Sequence, residues 1–242
     1  MRWVLVGLLP LCAAGADLKL NLRTRVEAFK GSGAWEEVRV ERRLPVHKTG
    51  ILICDMWDNH WCKGAAQRVN VLAEKMAPLI GQARETGLQI IHSPSDVMTF
   101  YADTPYRQRI LKLPTMQPPP NLDLSDPPLP IDDSTGGCDT PDKSYKAWTR
   151  QHPALRIAGN DVISDRGTEV YSLLKEKGIE NLLVMGVHTN MCVLNRTFAI
   201  RQMTKPKFLA APGRKLMISH KKTLKSIFVF WLQPEELKSP LL

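Results

Sequence analysis

Two short stretches carry residues whose types and spacing suit nucleophilic chemistry. One is GVHTNMCVLNRTFAIRQM, in which Cys192 follows closely on the apolar run Leu182-Leu183-Val184-Met185. An unbroken run of this kind is expected of a parallel strand covered on both faces. Gly186 ends it, and from Thr189 the residues Cys192, Val193, Phe198, Ala199 and Met203 recur at helical spacing. Thr189 or Asn190 can cap that helix. Cys192 would then lie in a first helical turn, where the dipole and free amide N–H groups favour a thiolate. The same amides could hold an oxyanion once the sulfur attacks a carbonyl. The rival reading makes Cys192 one more small buried hydrophobe. The other stretch is Gly50-Ile51-Leu52-Ile53-Cys54, which runs straight into Asp55-Met56-Trp57-Asp58. It sets a carboxylate at the carboxyl end of a buried strand, where open α/β sheets keep their sites.

With both stretches present in this order, the chain resembles the isochorismatase-like cysteine hydrolases, which include nicotinamidases and carbamoylsarcosine amidases. The matching residues are ILICDMWD and GVHTNMCVLNRTFAIRQM, and the resemblance covers about Thr49 to Met203. It implies a three-layer α/β/α sandwich around a mostly parallel, doubly wound sheet, with the Asp55 and Cys192 strands as neighbours. It further implies Asp55 as general base and a cis peptide at Val187–His188. The N–H groups of His188 and Cys192 would form the oxyanion hole. The family's third catalytic group is a lysine. Arg150 falls closest to its place, with Lys146 in reserve, and arginine is a poor proton shuttle because its pKa exceeds ~12. Trp57 and Trp148 are either substrate walls or ordinary core.

The implied reaction cleaves a C–N bond of a small amide or ureido substrate through an acyl-enzyme, with no cofactor. True isochorismatases cleave a vinyl ether without the cysteine, so Cys192 points toward amides. The rival function is a non-catalytic family member that keeps the fold as a binding or structural module. The metal site of the nicotinamidase branch begins with Asp-x-His, whereas this chain reads His92-Ser93-Pro94-Ser95-Asp96. His92 and His60 lack the spacing of a metal pattern and are read as satisfied histidines, so no metal is expected.

The remaining chain must position these groups. Its 242 residues, 43% hydrophobic and 24% charged, suit one soluble domain with a sizeable core. The net charge is +9, but Thr204 to Leu242 holds eight Lys/Arg against Glu235 and Glu236, so +6 belongs to this tail. No basic stripe with interleaved aromatics runs through the rest, which argues against nucleic-acid binding. Residues 1–16 read as a secretory signal: Arg2, an apolar Trp3 to Leu11, then Ala14-Gly15-Ala16. The alternative there is a buried first strand. A secreted or periplasmic protein is expected, with no membrane span once the signal is gone; a homo-oligomer is allowed. In such an oxidising setting Cys62 and Cys138, both in loop contexts, are free to pair while Cys192 stays reduced.

Residues 17–48 alternate with period two around Gly31-Ser32-Gly33, giving an antiparallel addition ahead of the main domain at 49–203. The segment after Gly64 is an amphipathic helix closed by Gly87, with Val69, Leu72, Met76, Leu79, Ile80 and Ala83 inward. Leu88-Gln89-Ile90-Ile91 follows as a strand, and Pro118 to Thr140 is a long loop, either a lid or a surface excursion. Residues 204–242 match nothing in the family pattern. They fit either an out-of-frame end, leaving the sheet short beyond the Cys192 strand, or further strands at Phe208 to Ala211 and Ile227 to Leu232.

Overall fold

The computed structural model describes residues 17–118, 138–188, 191–203 and 226–230. The first elements are two long strands, β1 (Asp17–Glu27) and β2 (Trp35–Pro45), paired antiparallel from Asp17↔Pro45 to Glu27↔Trp35. They form a separate two-stranded sheet, tied to the main body by Leu18, Leu20, Leu22 and Leu44, which pack on its core.

The main sheet has the order β5-β4-β3-β6-β7. Its members are β3 (Thr49–Cys54), β4 (Gln89–Ser93), β5 (Val162–Ile163), β6 (Asn181–Gly186) and β7 (Ser226–Phe230), and every pairing is parallel. Side chains alternate across a strand, so a sheet covered on both faces needs apolar residues at consecutive positions. Ile51, Ile53, Ile90, Leu183 and Met185 meet Val69, Met76 and Ile80 of helix α1 (Lys63–Thr86). Leu52, Cys54, Ile91, Leu182 and Val184 turn the other way, toward Val170, Leu173 and Leu174 of α4 (Gly167–Glu176). Between these lie the short α2 (Met98–Tyr101) and α3 (Pro105–Leu111). The result is the three-layer α/β/α arrangement expected, with the two key strands β3 and β6 side by side.

Helix α1 closes where expected, at Gly87 with φ 96°, whose N–H donates to the carbonyls of Ala83 and Arg84. Leu79 is a local miss: it is 41% exposed, and Ala73 takes the inward position instead.

Two expectations need correction. The helix predicted to run on from Cys192 is broken into α5 (Cys192–Asn195) and α6 (Ile200–Met203). Arg196 leaves the helix at φ −58°, ψ 150°, and Thr197 then docks on Gly167, its Oγ1 accepting that residue's N–H at 3.1 Å. The predicted caps, Thr189 and Asn190, lie outside the described residues. The sheet also does not stop at β6. Ser226–Phe230, overlapping the predicted strand at Ile227, pairs with it from Asn181↔Ser226 to Met185↔Phe230. The proposed signal at 1–16, most of the long loop and the candidate strand at Phe208 lie outside the described residues.

Cys62, at the start of α1, is joined to Cys138 in a disulfide, with Cα atoms 5.7 Å apart and 76 positions between them in sequence. A loop of that size is stabilised by about 4 kcal/mol in the chain-entropy account. Asp142 and Asp139 fasten the same segment, accepting from the Lys63 N–H at 2.9 Å and pairing with Arg68.

Candidate active site

Asp55 stands where β3 ends, fully buried, with φ 48°. A non-glycine residue in the left-handed region is uncommon and concentrates at functional sites. Here it turns the carboxylate across the carboxyl edge of the sheet. Oδ1 accepts the Ser95 N–H at 2.8 Å, so the segment after β4 holds one oxygen. Oδ2 accepts from Arg196 Nε at 2.9 Å.

Cys192 is the first residue of α5, and its thiol is hydrogen-bonded to the Asp55 carboxylate. The His188 backbone N–H reaches the same sulfur. Burial, followed by the negative charge of Asp55, pushes the thiol pKa up to about 11. The resting residue is therefore a thiol, not the helix-stabilised thiolate anticipated from sequence. A four-residue α5 supplies too little dipole to overcome burial beside a carboxylate. The peptide Val187–His188 is cis, and the His188 carbonyl accepts from the N–H groups of Met191 and Val193, closing the turn around the sulfur. The free Cys54 lies fully buried in β3 and is packing.

Arg150 is not brought to this centre. Its backbone pairs with the segment after Asp55, and its half-exposed side chain lies 3.8 Å from Asp58 and over the Phe100 ring. Lys146 donates to the Asp96 carbonyl at 2.8 Å. The cation on Asp55 is Arg196, which the sequence reading passed over. A signal for it existed: Arg196 stands four positions after Cys192, the spacing that puts two residues on one helical face.

An open cleft leads to the centre, lined among others by Asp55, Trp57, Asp58, His60, Asn70 and His188. Trp57 is one wall of it, fixed by its Nε1 donating to the Ser95 carbonyl at 3.1 Å. Trp148 does not line the cleft but stacks on Trp57, ring centres 4.4 Å apart, and on His60. Hydrogen bonds from Thr149 and Arg150 outweigh the burial of Asp58 and hold its carboxyl below the usual range. Burial pushes His60 and His188 down, so both rings are neutral at pH 7.

His92 is fully buried behind the site and satisfied there by Asp161 and Gln151, each at 3.1 Å. Among the described residues, one group of ligand-type atoms lies close enough together for an ion: Cys62, Cys138 and Asp142. Its two sulfurs are already spent in the disulfide.

A thiol, a carboxylate able to take its proton and an N–H aimed at the same sulfur can carry out attack on a carbonyl carbon. The profile of the Isochorismatase domain family matches residues 49–202, well over half the chain and all the groups just described. A search of curated proteins finds no match. The family match supports a hydrolase-type function.

Proposed function

Because the chain belongs to the isochorismatase family, we propose that it hydrolyses the C–N bond of a small amide or ureido substrate through a thioester on Cys192. The observation that carries this reading is the convergence on one sulfur of the Asp55 carboxylate and the His188 N–H. A thiol with a pKa near 11 needs a base in contact with it, and Asp55 is that base.

In the first half-reaction the Cys192 proton passes to Asp55 as the sulfur bonds to the substrate carbonyl carbon. The carbonyl oxygen becomes an oxyanion received by the N–H groups of His188 and Cys192. Collapse breaks the C–N bond, and Asp55 returns the proton to the departing nitrogen. Water then attacks the thioester, giving its proton to Asp55, and the acid leaves as Asp55 reprotonates the sulfur. We further propose an exported protein; the Cys62–Cys138 disulfide supports an oxidising destination.

The test is intact-mass measurement after brief exposure to simple aliphatic amides. An acyl adduct on Cys192 is expected, absent in Cys192→Ala, with turnover lost in that variant. Asp55→Asn should lower the rate by about 10²–10⁴-fold. Turnover that survives Cys192→Ala would overturn the mechanism. A folded wild-type chain giving neither adduct nor turnover would favour a binding role.

A further inference from the structure

The β1–β2 hairpin is seated on the main body by its inner half. Leu18, Leu20, Leu22 and Leu44 pack on the core. Farther out on the same face, Val26, Val38 and Val40 join no core cluster among the described residues. A two-stranded hairpin has little stability of its own and needs a further strand or a packed face. We propose that a second copy of this chain supplies that strand: two β2 strands pair antiparallel by their outer edges, in the order β1-β2-β2-β1, across a two-fold axis at Val40. The proposal is independent of the hydrolase reading.

The backbone groups on that edge follow from the hairpin register. The Ala28 N–H donates to the Ala34 carbonyl at 2.9 Å, and the pairing runs unbroken from Glu27↔Trp35 to Asp17↔Pro45. Bonded and non-bonded pairs alternate along an antiparallel ladder, so the even-numbered residues of β2 bond to β1. The odd-numbered ones, among them Glu37, Arg39, Glu41 and Arg43, turn their N–H and C=O groups outward. Among the described residues no strand pairs with that edge.

Charge decides both the partner and the register. Glu37, Arg39, Glu41 and Arg43 are exposed on one face of β2 and alternate in sign. Within the strand Arg39 lies 3.6 Å from Glu37, and Arg43 lies 3.6 Å from Glu41, exposed pairs of little energetic weight. An alternating row of this kind is complementary to its own reverse. With Val40 opposite Val40, Arg39 of each copy faces Glu41 of the other, and Glu37 faces Arg43. Every cross-strand pair in the row is then of opposite sign, the arrangement that stabilises a ladder. On the other face the aliphatic stem of Arg42 covers Val38. Sliding one copy until Arg39 faces Arg39 also sets Glu37 against Glu41, and only Glu36 and Arg42 remain matched. A slip of one residue would put the apolar face of one copy level with the charged face of the other. In the proposed register Glu36 reaches Leu44 of the second copy, so each outer half lies beside a half that is seated on a body. Pro45 has no N–H and ends the ladder opposite Trp35.

The test is the mass of the full-length chain in solution, by light scattering over a dilution series. The wild type is expected to be a dimer. R39E sets acid against acid on both sides of the axis, and E41R sets base against base. Each alone should raise the dimer dissociation constant about tenfold or more. Mixed together, the two variants again have opposite signs at every pair, so a mixed dimer should form with nearly the wild-type constant. Damage to the fold is not repaired by mixing. Val40→Cys should give a disulfide-linked dimer on mild oxidation, and Phe29→Cys at the hairpin tip should give none. A wild type that stays monomeric overturns the proposal and leaves the outer apolar face to another segment of the same chain. A dimer indifferent to both reversals, or single variants that mixing does not rescue, places the interface elsewhere and overturns it too. So does a folded Val40→Cys chain that forms no link; if that variant does not fold, the charge variants decide.

Discussion

Gly186 of β6 and Cys54 of β3 touch backbone to backbone at the mouth of the site. A Cβ added to Gly186 would lie 2.0 Å from the Cys54 carbonyl oxygen, and Gly186 has φ +132°. The same carbonyl accepts the Val187 N–H at 3.1 Å. This contact draws the Val187–His188 peptide in beside Asp55, and only glycine permits it. Gly186→Ala is expected to destabilise the chain by at least about 1–3 kcal/mol, since the atom it meets is main chain and cannot swing aside. Urea unfolding measures this, and an unchanged midpoint would contradict the close approach.

The Cys192 thiol provides a second expectation. With its pKa raised to about 11 by burial and Asp55, alkylation by iodoacetamide should keep accelerating beyond the range of an ordinary cysteine, about 8.5. Site-resolved mass spectrometry against pH gives the curve. In Asp55→Asn the negative charge is gone, so the curve should move to lower pH. A wild-type rate already level at neutral pH would mean a resting thiolate.

Arg196 and Arg150 should behave oppositely. Arg196 donates to Asp55, so Arg196→Met removes a charged hydrogen bond worth roughly 1.5–3 kcal/mol, or about 10–100-fold in kcat. Arg196→Lys, which keeps the charge, should recover part of that loss. Arg150→Ala should change kcat little, because its half-exposed side chain pairs with Asp58. Steady-state kinetics of the three variants decide it, and a larger defect in Arg150→Ala would restore the role expected from the family resemblance.

Stability should fall in mild acid. Burial keeps the pKa of His92 below the usual 6.5, and His60, His152 and His188 are lowered too. The unfolded chain therefore takes up protons, as pH drops below about 6.5, that the folded chain refuses. The stabilisation is complete above that pH and is lost as pH falls toward the depressed folded values. Urea midpoints should decrease from about pH 7.5 to about pH 5, and less steeply in His92→Gln. Equal slopes in the two proteins would remove His92 from the account.

The sequence by itself determined the layered fold, because burial on two faces writes itself as unbroken apolar runs. Ile51 to Cys54 and Leu182 to Met185 could hardly be anything but interior parallel strands. It also determined the order of Asp55 and Cys192 and the loop contexts of Cys62 and Cys138, now joined in the structure. Tertiary structure alone decided the protonation of Cys192, since a short helix favours a thiolate while burial and an adjacent carboxylate outweigh it. It decided where the helix breaks: the spacing of Arg196 from Cys192 is legible in the sequence, but the break at Arg196 that lets Thr197 dock on Gly167 leaves no record in the periodicity. Asn70 acquires its direction from a hydrogen bond made when distant segments meet, His152 arriving behind it across 82 positions of sequence. A residue's type lists the bonds it can make, and only the folded neighbourhood decides which of them remain for a ligand.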